Sequence, residues 1–348
     1  MDIQLLINLV NKYKDFLIYF FSFSLGLAGA WLISSTPHRT LLMLMDHPTE
    51  RSSHDIPIPR GGGVGILLSF ILCSLVLKLP TTFLFPAVML SIISFYGDNF
   101  QLSVRFRLVI QSVAAVFLAI PFLGSTDLPL LLFLPVFIFV VGTTNIYNFM
   151  DGIDGIAGIT SVVGFGLLAY YNCPIFSCPV SPYASLSICM ALASLGFLFL
   201  NMPRARVFLG DVGSILLGFV FFGIVLMMSK NIFDLICLAS FIFPFYADEI
   251  TTMYVRLRQG ENLIIPHRKH LYQLLANEMG FPHWIVSCSY GLIQLAIGLG
   301  VIFLKPHGIL GVAIFLMTCF IIFSFVSYMV RNSSKITMDR PTDRGAAP

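Results

Sequence analysis

Four aspartates stand where apolar segments of the chain begin or end: Asp98, Asp151, Asp154 and Asp211. An ionised carboxylate in such a place is costly to hold unless it has a partner or a task. For any one of them, a helix cap or surface ion pair is about as reasonable as a functional role. Four in a chain with only 17 acidic residues favour function. Hard oxygen donors suit Mg²⁺, with Mn²⁺ as an alternative, and substrate phosphates and water would complete the coordination.

Glycines accompany these acids, as in Gly97-Asp98, Asp151-Gly152 and Gly210-Asp211, and a further run, Gly61-Gly62-Gly63, precedes an apolar segment. Glycine permits close backbone approach and positive φ angles. The turns are therefore predicted to present amide hydrogens to a phosphate, with the glycine run at the amino end of a helix. Glycine is also common in membrane helices for packing reasons, which is the alternative explanation.

A basic segment, His267-Arg268-Lys269-His270, lies in the largest polar interruption of the chain, Asp248 to His283. Two histidines three residues apart could share zinc, but no further His or Cys stands at matching spacing. Arg268 and Lys269 favour an anion instead. A basic loop that touches lipid head groups is the plain alternative. In the same interruption, Arg256 and Arg258 are expected to point to water from a helical extension, and Pro266 and Pro282 are expected to bracket a short helix.

The composition requires a membrane protein: 57% of residues are hydrophobic, 11% are charged, and the mean hydropathy is +0.90. Apolar runs separated by short polar breaks are the signature of spanning helices, because lipid offers the backbone no hydrogen-bond partner. The predicted fold class is all-α, with about eleven transmembrane helices. They are Asp15–Ile33, Gly61–Leu79, Thr82–Tyr96, Leu108–Leu123, Leu130–Tyr147, Ile156–Tyr171, Tyr183–Leu200, Val212–Met228, Ile232–Ala247, Trp284–Leu304 and Gly308–Val330.

The basic residues predict the orientation of these helices, because cytoplasmic loops are rich in Lys and Arg. With loops assigned alternately to the two sides, one side carries Arg39, Arg51, Arg60, Arg105, Arg107, Arg204, Arg206, Arg256, Arg258, Arg268, Lys269, Arg331, Lys335, Arg340 and Arg344. The other side carries Lys12, Lys14, Lys78, Lys230 and Lys305. The amino terminus is therefore predicted to lie outside and the carboxyl terminus in the cytoplasm.

The organisation is predicted to be one integral-membrane domain, residues 1–330, followed by a disordered cytoplasmic tail, residues 331–348. Its polar loops, residues 34–60, 97–107, 148–155, 201–211 and 248–283, fall on the cytoplasmic side. The first apolar segment lacks a small-residue cleavage site and is interpreted as retained. Cys73, Cys189, Cys237, Cys288 and Cys319 lie in apolar runs as buried thiols. Cys173 and Cys178 share an external loop, where a disulfide and two free thiols are about equally reasonable.

Taken together, the motifs resemble those of the polyprenyl-phosphate N-acetylhexosamine-1-phosphate transferases, also called glycosyltransferase family 4. The resemblance spans nearly the whole chain and rests on four stretches, namely Asp46 to Gly63 with Arg51-Ser52-Ser53-His54 inside it, Asn145 to Gly155, Phe208 to Ser214, and Pro266 to Gln273. The first and last stretches are most similar to the bacterial branch that starts O-antigen and related surface glycans.

The resemblance implies that a UDP-N-acetylhexosamine of the N-acetylglucosamine type meets undecaprenyl phosphate at the inner face of a bacterial plasma membrane. Sugar 1-phosphate is transferred and UMP leaves. It further implies that Asp211 and Asn148 hold the magnesium ion and that Asp98 engages the lipid phosphate. Phe208 would stack on uracil, and Asn201 and Asp154 would line the uridine pocket. The diphosphate or sugar would be held by His267, Arg268 and His270, and the remaining substrate-binding candidates are Asp151, Arg60 and Asn99.

Phosphoryl transfer between two anions needs positioning and charge neutralisation more than covalent help. A phosphate monoester has a second pKa near 6, so the lipid nucleophile is largely dianionic at neutral pH. Direct attack by the lipid phosphate is favoured, with Asp98 orienting it or removing a residual proton. A two-step route through an aspartyl phosphate stays open.

One position departs from the family pattern, because Asp98-Asn99 stands where two adjacent aspartates are common. Asparagine keeps a carbonyl oxygen but loses a charge, so either metal affinity is weaker or the second acid is dispensable.

Two other functions remain open from the residues alone. Ion-coupled transporters also hold acids among many helices, although their sites usually lie near the bilayer midplane on broken helices with repeat symmetry. A non-catalytic lipid-binding scaffold is the third reading, encouraged by Asn99. Membrane lipids are expected to surround the protein and a nucleic-acid partner is not. Helix faces rich in small residues make a homodimer an expected assembly.

Overall fold

The structure of the chain is a computed structural model. It describes residues 3–35, 44–46, 48, 56–100, 102–124, 130–172, 180–263, 265 and 267–338; among these, the side chains of residues 3–12, 44, 98–100, 121, 130, 172 and 334–338 are not described. The predicted positions Arg51 to His54, Pro266, Cys173 and Cys178 lie outside the described residues. So do the side chains of Asp98 and Asn99.

The described chain is almost entirely helical. Its helices are α1 (Ile3–Ser35), α2 (Val64–Val76), α3 (Thr81–Phe100), α4 (Val104–Gly124), α5 (Phe133–Phe149), α6 (Ile156–Asn172), α7 (Pro182–Asn201), α8 (Asp211–Met228), α9 (Ile232–Ala239), α10 (Phe243–Arg258), α11 (Leu271–Gln273), α12 (His283–Leu304) and α13 (Ile309–Met338). Two short strands, β1 (Leu44–Asp46) and β2 (Ile58–Arg60), pair antiparallel and are an addition to the all-α prediction. Each of the apolar segments predicted from the sequence falls on one of the longer helices or helix pairs.

Six of these helices are long and apolar enough to cross a membrane, which makes the chain an all-α multi-pass membrane protein. They are Tyr13–Ser35, Val104–Gly124, Pro182–Asn201, Asp211–Met228, His283–His307 and Ile309–Ser333. Four shorter apolar helices lie within α2, α3, α5 and α6. A spanning helix needs about 20 residues, and these four helices are shorter. The number of eleven crossings therefore stays a prediction.

Helix α8 lies at the centre of the bundle. Nearly all of its residues are buried, from Val212 to Leu226, because the helix is apolar around its whole circumference. It packs against α3 and α5, and α1, α2, α6 and α7 form the neighbouring layer. The first residue of α8 is Asp211, so the most buried helix of the fold starts at the leading site candidate.

The predicted segment Ile232–Ala247 is a broken helix. A 3-10 turn, Ser240–Ile242, separates α9 from α10, and Pro244 in the first turn of α10 has no N–H to continue the helical ladder. The buried amide of Gln294 donates to the carbonyls of Phe241 at 2.7 Å and Thr160 at 3.0 Å. A side chain from α12 thus satisfies backbone that the break exposes, as lipid could not.

The tail was predicted to begin at residue 331. Helix α13 continues to Met338. Extending an established helix adds one hydrogen bond for each residue fixed, so the polar sequence after Val330 can continue it. Arg331 also anchors this turn, because its guanidinium donates to Thr252 Oγ1 at 2.9 Å and to Ser327 Oγ at 3.2 Å.

The amino ends of α2 and α8 touch through glycines. A Cβ added at Gly63 would lie 2.4 Å from Gly213 Cα and 3.0 Å from the carbonyl oxygen of Leu209. Backbone atoms cannot move aside as a flexible side chain can, so Gly63→Ala is expected to lower stability by about 1–3 kcal/mol. Thermal unfolding in detergent measures this.

Gly142 is the matched control, because it also lies in a helix but a Cβ there meets nothing within 4 Å. Gly142→Ala is expected to change stability by less than about 1 kcal/mol. Equal melting temperatures for the two variants would contradict the close contact between α2 and α8.

Candidate functional site

The polar loops meet at one end of the helical bundle, as the sequence predicted. Contacts join the start of α2 to the start of α8, the end of α3 to α4 and α8, the end of α5 to α11, and the start of α6 to α12. At the opposite end, Lys305 pairs with Asp234 at 2.5 Å. The fold therefore gathers one polar cluster from distant parts of the chain.

Asp211 is the centre of this cluster. Gly210 has a φ of 74°, a conformation that favours glycine, and this turn places Asp211 as the first residue of α8. One carboxylate oxygen lies 2.5 Å from Arg107 Nη1, and the other accepts from Asn148 Nδ2 at 2.9 Å. The Asn148 amide also donates to Ser214 Oγ at 2.8 Å. The sequence grouped Asp211 with Asn148, and the structure brings them together.

Arg107 links Asp211 to the end of α3. Its other guanidinium nitrogen donates to the carbonyl of Gly97 at 3.4 Å, so the backbone next to Asp98 lies beside Asp211. Its Nε is buried and has no hydrogen-bond partner among the described residues. From the sequence, Arg107 contributed only to the predicted orientation of the helices. The signal that could have identified it is its position in the first turn of α4, nine residues after Asp98.

The glycine run, Gly61-Gly62-Gly63, was predicted to present its amides to an anion, and this is wrong. The amides of Gly61 and Gly62 donate to the carbonyl of Phe208 at 3.1 and 2.9 Å, and the amide of Gly63 donates to the carbonyl of Leu209 at 3.0 Å. The reason is that Phe208 and Leu209, just before Asp211, lie beside the glycine run, and their carbonyl groups accept these hydrogen bonds. The run positions Phe208, which is partly exposed, and Arg60, which pairs with Asp46 at 2.8 Å.

Asn201 and Asp154 connect two loops. The Asn201 side chain accepts from the amide of Gly155 at 2.8 Å and donates to the carbonyl of Val207 at 2.9 Å. The Asp154 carboxylate accepts from the amide of Ala205 at 3.2 Å and lies 3.3 Å from His283 Nδ1. Both residues therefore hold the frame around Phe208. His283, at the start of α12, was missed in the sequence.

Tyr272 brings the basic loop against the turn after α5. Its hydroxyl donates to the carbonyl of Phe149 at 3.0 Å. A Cβ at Gly152 would lie 2.2 Å from that hydroxyl, so the turn requires glycine there. The half-buried Asp151 lies in this turn. Candidates from the second and fourth motifs are thus neighbours in space.

His270 is enclosed rather than open to a substrate. Its side chain is only 3% exposed; Nδ1 lies 3.7 Å from Asp248 Oδ1, and Nε2 lies 3.6 Å from Glu249 Oε2. Burial alone would raise the pKa of Asp248, but the adjacent His270 and the amide of Leu271 bring it below its ordinary value. Burial raises the pKa of Glu249. The short helix expected here is the single turn α11 followed by a π-helical turn, Leu274–Glu278.

The expectation that Arg256 points to water is wrong. Arg256 is 3% exposed, and its guanidinium binds the chain that leads to the basic loop. Arg258 is exposed, as expected. The spacing explains the difference, because Arg256 lies two helical turns after Asp248 on the same inward face of α10, and Arg258 does not.

His267 is partly buried, and its Nδ1 accepts from the amide of Lys269 at 3.3 Å. Burial, together with the nearby His270 and Arg256, lowers the pKa of His267 to about 4. A lowered pKa means that the folded protein keeps this imidazole neutral above about pH 4, with its proton on Nε2. His267 can therefore donate one hydrogen bond to an anion without carrying a charge.

This assignment predicts the pH dependence of activity. Since His267 is already neutral at pH 5.5, raising the pH to 8 does not change its charge. Wild-type protein and His267→Gln are therefore expected to show the same apparent pKa values in profiles of kcat/KM over this range, although the variant is slower. Disappearance of an acidic limb in His267→Gln would contradict the neutral imidazole.

The donor set at Asp211 fits a magnesium ion that is completed by substrate. Magnesium in proteins is usually held by one or two carboxylates together with phosphate oxygens and water. Asp211 supplies one carboxylate that is 19% exposed, and Ser214 Oγ lies close by. Asn148 faces both through its amide nitrogen, and a 180° turn of this amide would bring its oxygen to an ion held by Asp211. In the part of the chain that the structure describes, no three His, Cys, Asp or Glu side chains form a metal cluster.

Comparison with known proteins agrees with the motifs. The family model described as glycosyl transferase family 4 matches residues 80–229, which include α3 to α8. The chain is 26% identical over 307 residues to a probable undecaprenyl-phosphate N-acetylglucosaminyl 1-phosphate transferase of Bacillus subtilis, covering 82% of each chain. It is 28% identical to the undecaprenyl-phosphate alpha-N-acetylglucosaminyl 1-phosphate transferase of Thermotoga maritima, covering 73% of this chain and 81% of the relative.

The protein of the same name from Escherichia coli K12 is 29% identical over 263 residues, which are 67% of this chain and 69% of the relative. The range matched by the family model includes Asp98, Asn148, Asp154 and Asp211. The chain is therefore similar to glycosyl transferase family 4 over residues 80–229 and to these relatives over a longer stretch.

Proposed function

We propose that the protein transfers N-acetylglucosamine 1-phosphate, or a close N-acetylhexosamine relative, from a UDP-sugar to undecaprenyl phosphate and releases UMP. The observation that carries this proposal is the contact of Asp211 with Asn148 and Arg107 at the bundle end that also holds the basic loop. A carboxylate for a metal ion and cationic groups for phosphate are what transfer between two anions requires. The names of the relatives support the same reaction.

In the proposed reaction, an oxygen of the lipid phosphate attacks the phosphorus attached to the sugar. The bond from that phosphorus to the oxygen bridging to UMP breaks, and UMP leaves with the electron pair. The product is a sugar linked to the lipid through a diphosphate. Asp98 orients the lipid phosphate or takes its residual proton, and a two-step route through an aspartyl phosphate is the alternative.

Asp211 and Asn148 would hold a magnesium ion, which when bound neutralises charge on the diphosphate. Arg107 lies between Asp211 and the end of α3, where the two substrates would meet, and its planar guanidinium suits a phosphate. His267 and Arg268 lie on the loop that Tyr272 brings to the turn after α5. Phe208, whose carbonyl accepts hydrogen bonds from the glycine run, would stack on uracil.

The membrane arrangement that we propose has eleven crossings, with the amino terminus outside and the site in the cytoplasm. Its support is the distribution of Lys and Arg and the contacts that join the basic loops at one end. In a bacterial inner membrane this end faces the soluble UDP-sugar. The first and last motifs support a role in starting O-antigen or a related surface glycan.

To test this function, purified protein is incubated with undecaprenyl phosphate, magnesium and a panel of UDP-sugars. The release of UMP and the mass of the lipid product are then measured. We expect UMP and lipid-linked N-acetylhexosamine in equal amounts. Lipid binding without UMP would indicate a scaffold instead. Ion-dependent uptake in vesicles without lipid product would indicate a transporter.

Asn99 provides a further prediction. Because Asp98 is retained, the second acid of the family pattern is expected to be dispensable here, and Asn99→Asp should leave transfer intact or raise it. The measurement is the initial rate over a magnesium titration, where a gain would appear as a lower half-saturating concentration. A large loss of activity in Asn99→Asp would contradict this interpretation.

A further inference from the structure

One face of α10 carries three buried polar residues, Asp248, Thr252 and Arg256, which we name the α10 polar stripe. They are spaced four residues apart, so they lie above one another on a helix. Their exposed fractions are 0%, 0% and 3%. Buried charge is costly unless it is paired and hydrogen-bonded. The hydrogen-bond partners of the stripe therefore show which part of the chain it stabilises.

Asp248 binds backbone at the end of the basic loop. Its carboxylate accepts from the amides of Leu271 at 2.8 Å and Tyr272 at 3.3 Å. It also accepts from the hydroxyls of Tyr290 at 2.8 Å and Thr252 at 3.1 Å. Both oxygens are occupied, and two of the four donors are the amides that directly follow the basic segment.

Arg256 binds backbone before the same loop. Its guanidinium donates to the carbonyls of Asn262 at 2.6 Å, Leu263 at 3.3 Å and Ile265 at 2.9 Å, and to the carboxylate of Glu261 at 3.2 Å. The loop is thus held on both sides of His267 and Arg268. A stripe on one rigid helix fixes the distance between these two attachments.

We propose that the α10 polar stripe positions the loop that carries His267 and Arg268 so that these two side chains can contact the donor diphosphate. The proposal rests on the transferase function proposed above. None of the three residues needs to touch substrate, because Asp248 and Arg256 bind the backbone of the loop and Thr252 Oγ1 lies 3.5 Å from the carbonyl oxygen of Lys269. A displacement of about 1 Å in a group that positions substrate can cost about 100-fold in rate.

The test compares Asp248→Asn with Asp234→Asn. Asp234 is a matched control, because it is also buried, accepts from the amide of Lys230 at 3.2 Å and from the hydroxyl of Tyr171 at 3.2 Å, and lies at the other end of the bundle. We expect Asp248→Asn to raise KM for the UDP-sugar by about 10- to 100-fold and to leave KM for undecaprenyl phosphate within about threefold. Asp234→Asn should change neither.

Tyr290→Phe is a milder variant that removes one hydrogen bond to Asp248 and keeps the carboxylate. It is expected to raise KM for the UDP-sugar severalfold, and it decides the question if Asp248→Asn does not fold. Unchanged donor KM in these variants, or an equal rise in Asp234→Asn, would overturn the proposal, since either would leave only a general structural role.

Hydrogen exchange separates this proposal from the transferase assignment. The amides of Leu271 and Tyr272 should exchange faster in Asp248→Asn and at the wild-type rate in Asp234→Asn. If wild-type protein released no UMP, the proposed reaction would fail while exchange still showed whether the stripe holds the loop. If these amides stayed protected in Asp248→Asn, the stripe would fail whatever the activity.

Discussion

Asp211→Asn is expected to lower magnesium-dependent transfer by at least about 1,000-fold, because it removes the one carboxylate among the described groups that contacts both Asn148 and Arg107. The substituted amide has the same shape and can still accept a hydrogen bond from Arg107, so the fold should persist. Purified protein assayed for UMP release, with and without magnesium, provides the measurement.

Asp234→Asn serves as the control for this experiment, since it removes a buried acid at the opposite end of the bundle. Its transfer rate should match that of the wild type. Full activity of Asp211→Asn at saturating magnesium would remove this residue from the metal site and require another set of ligands.

Arg107→Met is expected to lower kcat/KM by about 100-fold, the second-largest effect. The variant leaves the Asp211 carboxylate without its cation and removes a group that can face the diphosphate. Arg107→Lys should retain part of the activity, because lysine keeps the charge but not the planar pair of donors. Initial rates over a series of UDP-sugar concentrations measure both variants.

The matched control is Arg105→Met, two residues earlier in the same helix. Arg105 is exposed, whereas Arg107 is half-buried against Asp211. Its loss should change kcat/KM by less than about threefold, because an exposed charge is screened by solvent and salt. Equal effects of the two substitutions would mean that the general positive charge of this loop, and not the contact with Asp211, supports activity.

The helices and the convergence of the motifs were predictable from the sequence because lipid imposes long apolar runs with polar breaks. Asp211 at the first turn of α8 and Asn148 near the end of α5 could be placed at the same end of the bundle by this rule alone. The five cysteines in apolar runs are free thiols in the structure, but only Cys73, Cys189 and Cys237 are buried as expected, whereas Cys288 and Cys319 are partly exposed. Family motifs added the pairing of Asp211 with Asn148, which periodicity does not supply.

The direction of individual side chains could not be predicted in the same way. Arg256 resembles any basic residue of a cytoplasmic loop until the loop folds back and offers it three carbonyls. Gly61 and Gly62 have the composition of a phosphate-binding turn, but the carbonyl of Phe208 takes their amides. His270 stands in a basic motif, yet two carboxylates of α10 enclose it. Each outcome depends on a partner distant in sequence.

Asp248 shows why the sequence analysis missed a residue that the structure makes prominent. It was taken as the boundary of a loop, since one acid at the end of an apolar segment has many explanations. Its meaning depends on Leu271 and Tyr290, which lie 23 and 42 residues further along the chain. Asp248 is fully buried in the structure, and this burial indicates a structural role.

The most direct test of the central claim follows the two halves of a doubly labelled donor. UDP-N-acetylglucosamine carrying ³²P in the phosphate next to the sugar and ³H in the sugar is incubated with purified protein, magnesium and undecaprenyl phosphate. The account predicts that both labels move together into the lipid and that unlabelled UMP is released. Movement of ³H alone, with ³²P left in UDP, would contradict transfer of a sugar phosphate.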